Sequence, residues 1–94
     1  MLKTLHLTLT YHWWDKVSGG EKKAEYRRFT ANWRKRLADV RPGDSIVFHR
    51  GYTNRTLTRR IEQIRVIGGL DLPNEVYQFF KCPNESQFFE IQFR

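Results

Sequence analysis

Residues 3–10, KTLHLTLT, alternate without a break, with Leu5, Leu7 and Leu9 on one side and Thr4, His6, Thr8 and Thr10 on the other. A period of two sends successive side chains to opposite faces, so this run predicts a strand with one face buried and one wet. SIVFHR, 45–50, is rich in β-branched and aromatic residues and reads as another strand. LTRRIEQIRVI, 57–67, is a long strand whose apolar positions change parity between Ile61 and Ile64. That change predicts a β-bulge near Glu62–Gln63. KKAEYRRF, from Lys22, is a shorter extended segment, and QFFEIQFR, 87–94, is a closing strand.

Helical segments fall between these strands. His12–Val17 predicts a short helix ended by Gly19 or Gly20, with Trp13 and Val17 four apart on its buried face and Trp14 pointing elsewhere. Thr30 or Asn32 can cap a second helix over 31–39, with Trp33 and Leu37 inward and Arg34, Lys35 and Arg36 outward. Pro73 starts a third through Phe80, before Pro83-Asn84. Pro42-Gly43-Asp44 makes a turn and GYTNRT, 51–56, a hairpin-like loop. The order β-α-β-α-β-β-α-β, without repeats or linkers, gives one domain over 1–94. It is an α+β chain, expected to form a small β-barrel of about five strands with two or three short helices at its openings.

Charge narrows the function classes. The net charge is +7, which favours a polyanionic partner. Residues 22–41 hold Lys22, Lys23, Arg27, Arg28, Arg34, Lys35, Arg36 and Arg41 against only Glu25 and Asp39, whereas the last third is slightly acidic. Such unevenness describes a face. No apolar run approaches the ~20 residues of a membrane span, and the alternating start lacks the continuous apolar core of a signal peptide. The chain therefore reads as cytoplasmic. A single cysteine, Cys82, leaves no internal disulfide, and His6, His12 and His49 lack metal-ligand spacing, so no metal or cofactor is expected.

The stretch SGGEKKAEYRRFTANW, 18–33, carries the chemistry. Gly20, Lys22, Glu25 and Arg27 read as G-x-K-x-x-E-x-R. Gly20 allows a tight turn. Lys22 is a mobile cation suited to a phosphate or carbonyl oxygen. Glu25 can act as a general base, accept hydrogen bonds from a base edge, or fix Lys22. Arg27 offers a planar fork to phosphate or to Glu25. On a regular strand Lys22 and Glu25 face opposite ways, so a shared site requires a turn or bulge at Lys23–Ala24. The same three residues would also serve as an ion-pair network pinning the second helix.

With the PGD turn and the order of elements around it, this motif resembles the signature of ASCH domains, small barrels related to the PUA fold, and the resemblance spans nearly the whole chain. It implies a cleft between barrel and helices, lined by Lys22, Glu25 and Arg27, that takes single-stranded RNA or a nucleotide. Some ASCH proteins act as ribonucleases, which implies metal-independent cleavage with these three as catalytic residues. Another branch, similar to amidohydrolases of N4-acetylcytidine, pairs the motif lysine with a threonine where this chain has Glu25, and uses a separate acid that no motif position of this chain matches, Glu75 being a guess for it.

Around the motif, Lys23, Arg28, Arg34, Lys35 and Arg59 are candidates for tracking phosphates, and Arg50 and Tyr52 for an opposite lip of the cleft. Tyr11 and Trp14 are the stacking candidates, and Trp13 and Trp33 read as core. Single-stranded DNA stays open as a partner, because discrimination depends on contacts to the 2′-OH. A role as a phage or mobile-element accessory protein acting through a host protein also stays open, as does oligomeric state.

Overall fold

The computed structural model describes residues 3–94; Met1 and Leu2, at the head of the alternating run, lie outside the described residues. The elements are β1 (Thr4–Leu9), α1 (Tyr11–Ser18), β2 (Ala24–Arg28), α2 (Ala31–Leu37), β3 (Ser45–Arg50), β4 (Thr56–Gly68), α3 (Asn74–Phe79) and β5 (Gln87–Phe93), with a 3-10 turn at Gly69–Asp71. The five strands form one mixed sheet in the order β1-β3-β4-β5-β2. Only β1 and β3 pair in parallel. The sheet curls into a half-barrel, so the expected small barrel is present but stops short of closing, and β1 and β2 remain its two edges.

Local chemistry explains most of these boundaries. Leu5, Leu7 and Leu9 of β1 are buried and the residues between them exposed, as a period of two demands. The β4–β5 register steps from Ile61↔Phe93 to Gln63↔Gln92, leaving Glu62 as the extra residue of a bulge. Thr30 caps α2 by accepting the Trp33 N–H at 3.3 Å. At the PGD turn, the Asp44 carboxylate accepts backbone N–H groups from Arg41 at 2.8 Å and Lys3 at 3.1 Å, tying the entry of β3 to that of β1. Those two bonds, the Arg41 one first, hold its carboxyl below the usual aspartate range.

The main core joins the inner faces of β1, β3, β4 and β5 to Trp14 and Val17 of α1 and to Leu37 and Val40 after them in the chain. A smaller cluster under α3 gathers Tyr26, Leu72, Val76 and Phe88. The buried tryptophan of α1 is Trp14, not Trp13. Spacings of three and four both reach Val17, and the indole N–H of Trp14 finds an acceptor in the Phe48 carbonyl at 2.9 Å. Trp13 is left half-buried. Among the described residues no helix is long and apolar enough to cross a membrane.

Candidate functional site

The site begins where α1 ends. Gly20 adopts φ +80°, a left-handed conformation that glycine takes without steric penalty. The N–H groups of Glu21 and Lys22 both turn back to the Lys16 carbonyl, at 3.0 and 3.2 Å. Strand β2 starts only at Ala24, so Lys22 lies in the turn and escapes the strand's alternation. Its ammonium reaches Glu25 Oε1 at 2.7 Å. Glu25 and Arg27, two apart on β2, share a face, and Arg27 donates to Glu25 Oε2 at 3.2 Å. Glu25 Oε1 also accepts its neighbour's N–H, from Tyr26, at 2.9 Å.

The carboxylate thus bridges two cations, and the three side chains are 7% (Glu25), 11% (Lys22) and 25% (Arg27) exposed. A group with this little contact with water needs its counter-charges in place. Lys22 lies 4.3 Å from the centre of the Trp13 ring, and Arg27 5.1 Å from that of Trp33. Arg27 Nε is buried and finds no hydrogen-bond partner among the described residues.

Two clefts meet at this cluster. The smaller, about 350 Å³, lies between the edge strands: Thr8 and Leu9 of β1 face Glu25 to Arg28 of β2, and Trp13, Trp33, Phe79 and Phe80 supply aromatic walls. The larger, about 760 Å³, lies on the other side of Lys22 and reaches Glu75, Arg59 and Glu90. Trp13, Lys22, Tyr26 and Val76 line both.

In the larger cleft Glu90 is buried and accepts hydrogen bonds from Arg65 at 2.5 Å, Gln92 at 2.7 Å and the Tyr26 hydroxyl at 3.0 Å. Burial works to raise its carboxyl, but these donors prevail and hold it below the usual glutamate range. Burial, and then the bond to Glu90, push the Tyr26 phenol upward. Glu75 accepts from His12 at 2.8 Å and Lys16 at 3.0 Å, and these two hydrogen bonds, in that order, lower its pKa.

Among solved structures, ZmASCH from Zymomonas mobilis, a serine-to-alanine mutant, superposes on this chain with a TM-score of 0.69 at 12% identity, covering 98% of this chain and 68% of its own. This chain has the ASCH-domain fold. The hypothetical protein PH0355 superposes with a TM-score of 0.58 at 19% identity, over 97% of this chain and 99% of its own. No protein-family model matches the chain, and no curated protein matches it in sequence.

On this ASCH fold the sequence candidates separate into groups. Lys22, Glu25 and Arg27 come together, Arg28 joins them in the smaller cleft, and Lys23 and Arg59 line the larger one. Arg34 and Lys35 are exposed on α2, outside both clefts. Arg50 lies apart from the triad: its guanidinium pairs with Asp15 at 2.9 Å and stacks 4.1 Å from the Tyr11 ring centre. Tyr11 therefore offers one covered face. Tyr52 is fully exposed on the adjoining hairpin. Trp14 cannot stack on a base, because it is buried with its N–H committed to Phe48.

Sequence reasoning placed Trp13 and Trp33 in the core, and they do pack against it, but each also forms a cleft wall. It missed Tyr26 and Glu90. The only signal was a lone carboxylate inside QFFEIQF, where a strand face that includes Phe88 also has to accommodate a charge.

Proposed function

We propose that this ASCH-fold protein binds single-stranded RNA or its nucleotides, with one base between the aromatic walls of the smaller cleft and phosphate oxygens at Lys22, Arg27 and Arg28. The observation that carries this reading is the charge of an aromatic slot. Three cations line it against one carboxylate, which is already bridged by two of them, so two positive charges are left over. Aromatic faces stack any base, and surplus cations attract its phosphate. Glu25 acts here as the group that positions Lys22 and Arg27. Its carboxylate already accepts three hydrogen bonds, which disfavours a free general base.

The test is a gel series with end-labelled single-stranded RNA and matched DNA in EDTA, at 50 and 200 mM salt, with Lys22→Ala and Glu25→Ala alongside. If about three phosphates are neutralised, affinity falls about 20-fold between those salts, and Lys22→Ala weakens the shift at both. No shift at low salt overturns the reading. RNA cut by the wild type, with DNA intact and cutting lost in both variants, would add metal-independent ribonuclease activity to it.

A second reading has one observation behind it: Lys22 and Glu75 line the same larger cleft. That pairing suits hydrolysis of an acylated base amine such as N4-acetylcytidine, although Glu25 stands where that branch has threonine. Acetate release from the nucleoside, abolished in Glu75→Gln, would support it.

A further inference from the structure

We propose that the two clefts are consecutive nucleotide subsites of one strand, with the phosphodiester that joins the nucleotides lying at Lys22. This rests on the reading that the smaller cleft holds a nucleotide.

The clefts are not independent cavities. They share a wall of Trp13, Lys22, Tyr26 and Val76, and Lys22 is the cation of that wall, its ammonium 4.3 Å from the Trp13 ring centre. A strand occupying both must cross the wall, and its linking phosphate carries the charge that Lys22 complements. The larger cleft, at about 760 Å³, has room for a further nucleotide, being within the ~300–1,000 Å³ of ordinary ligand pockets.

Its charge looks balanced at first, with Glu21, Glu62, Glu75 and Glu90 among its walls. Three cations hold these four acids, Lys16 shared between Glu21 and Glu75, Arg94 on Glu62 and Arg65 on Glu90, which leaves one negative charge over. Lys23 and Arg59, by contrast, have no acidic partner among the described residues, and neither has Arg28 in the smaller cleft. Unspent positive charge therefore lies on both sides of Lys22, as a chain of phosphates requires.

The experiment compares a 2′-O-methyl uridine 3′-monophosphate with the 2′-O-methyl UpU dinucleotide, which cannot be opened at its 2′-oxygen, by calorimetry. The linker makes filling of the second subsite intramolecular and adds its contacts to those of the first, so the dinucleotide binds at least about tenfold tighter. Trp33→Ala, in the smaller cleft only, weakens both ligands. Arg59→Ala, in the larger only, weakens the dinucleotide several-fold and leaves the mononucleotide unchanged. A neutral methylphosphonate linkage removes the dinucleotide's advantage in the wild type but changes little in Lys22→Met. Equal affinity for the two ligands, or no effect of Arg59→Ala on the dinucleotide, overturns the proposal while the single-base reading stands. If neither ligand binds, both fall.

Discussion

Glu25 and Glu90 occupy opposite faces of the same two-stranded ribbon. In the β2–β5 register Tyr26 lies opposite Glu90 and Glu25 opposite Ile91, so one carboxylate points to each side. Both are buried, and each is held by a cation of its own: Glu25 by Lys22 and Arg27, Glu90 by Arg65. Tyr26 connects them, donating its N–H to Glu25 and its hydroxyl to Glu90. The ribbon thus separates two polar networks, and its stability depends on both being complete.

Removing one partner of such a pair strands the others. Glu25→Ala leaves Lys22 and Arg27 close together without their carboxylate, and should lower the unfolding free energy by about 3–5 kcal/mol. Adding Lys22→Met to that background should restore part of the loss. Urea unfolding of the two single variants and the double measures this coupling; strictly additive effects would show that the pair is not a unit.

Stability should fall on the acid side. The carboxyls of Asp44, Glu75 and Glu90 are all lowered in the folded state, so each contributes stability that is present above its ordinary pKa and lost as pH drops through the folded value. The melting temperature should hold from neutral pH to about 5 and decline below about 4. Asp44→Asn should lower it at pH 7 and flatten the acid limb. On the alkaline side the raised Tyr26 phenol works the other way, with stability complete below about pH 10 and lost above it.

The two adjacent glycines at the end of β4 should behave differently. A Cβ on Gly69 would stand 1.8 Å from the Pro83 carbonyl oxygen and 2.9 Å from its carbon, both backbone atoms. Gly69→Ala should therefore destabilise by about 3 kcal/mol or more, or displace the 83–86 loop. Gly68 has φ −81° and no neighbour closer than 3.7 Å, so Gly68→Ala should change stability by less than about 0.5 kcal/mol. Thermal melts of the pair decide it.

Tyr52 and Trp14 test what exposure means on this face. Tyr52→Ala should leave both the melting temperature and single-stranded RNA binding unchanged, because Tyr52 is exposed and lines neither cleft. Trp14→Phe should leave affinity intact and cost about 1–3 kcal/mol of stability, because the Phe48 carbonyl loses its donor. Filter binding beside thermal melts separates the two.

Local chemistry alone determined the strands and the bulge at Glu62–Gln63, and it narrowed the α2 cap to Thr30 or Asn32 and the left-handed turn to Gly19 or Gly20, because each follows from neighbours a few residues apart; the fold takes Thr30 and Gly20. The motif residues were legible for the same reason. What the sequence could not decide was which of two adjacent tryptophans enters the core: Trp13 and Trp14 both meet the helical spacing to Val17. The choice came from an acceptor on β3, a carbonyl 34 positions away. Likewise the alternation of β5 assigned Glu90 to a face but not to a burial, since α3 and its cluster cover that face only after the chain has folded back. The gap between β1 and β2 that forms the smaller cleft is tertiary in the same sense. Periodicity specifies faces within an element, whereas the packing of distant elements decides which faces are closed to water and which edges remain apart.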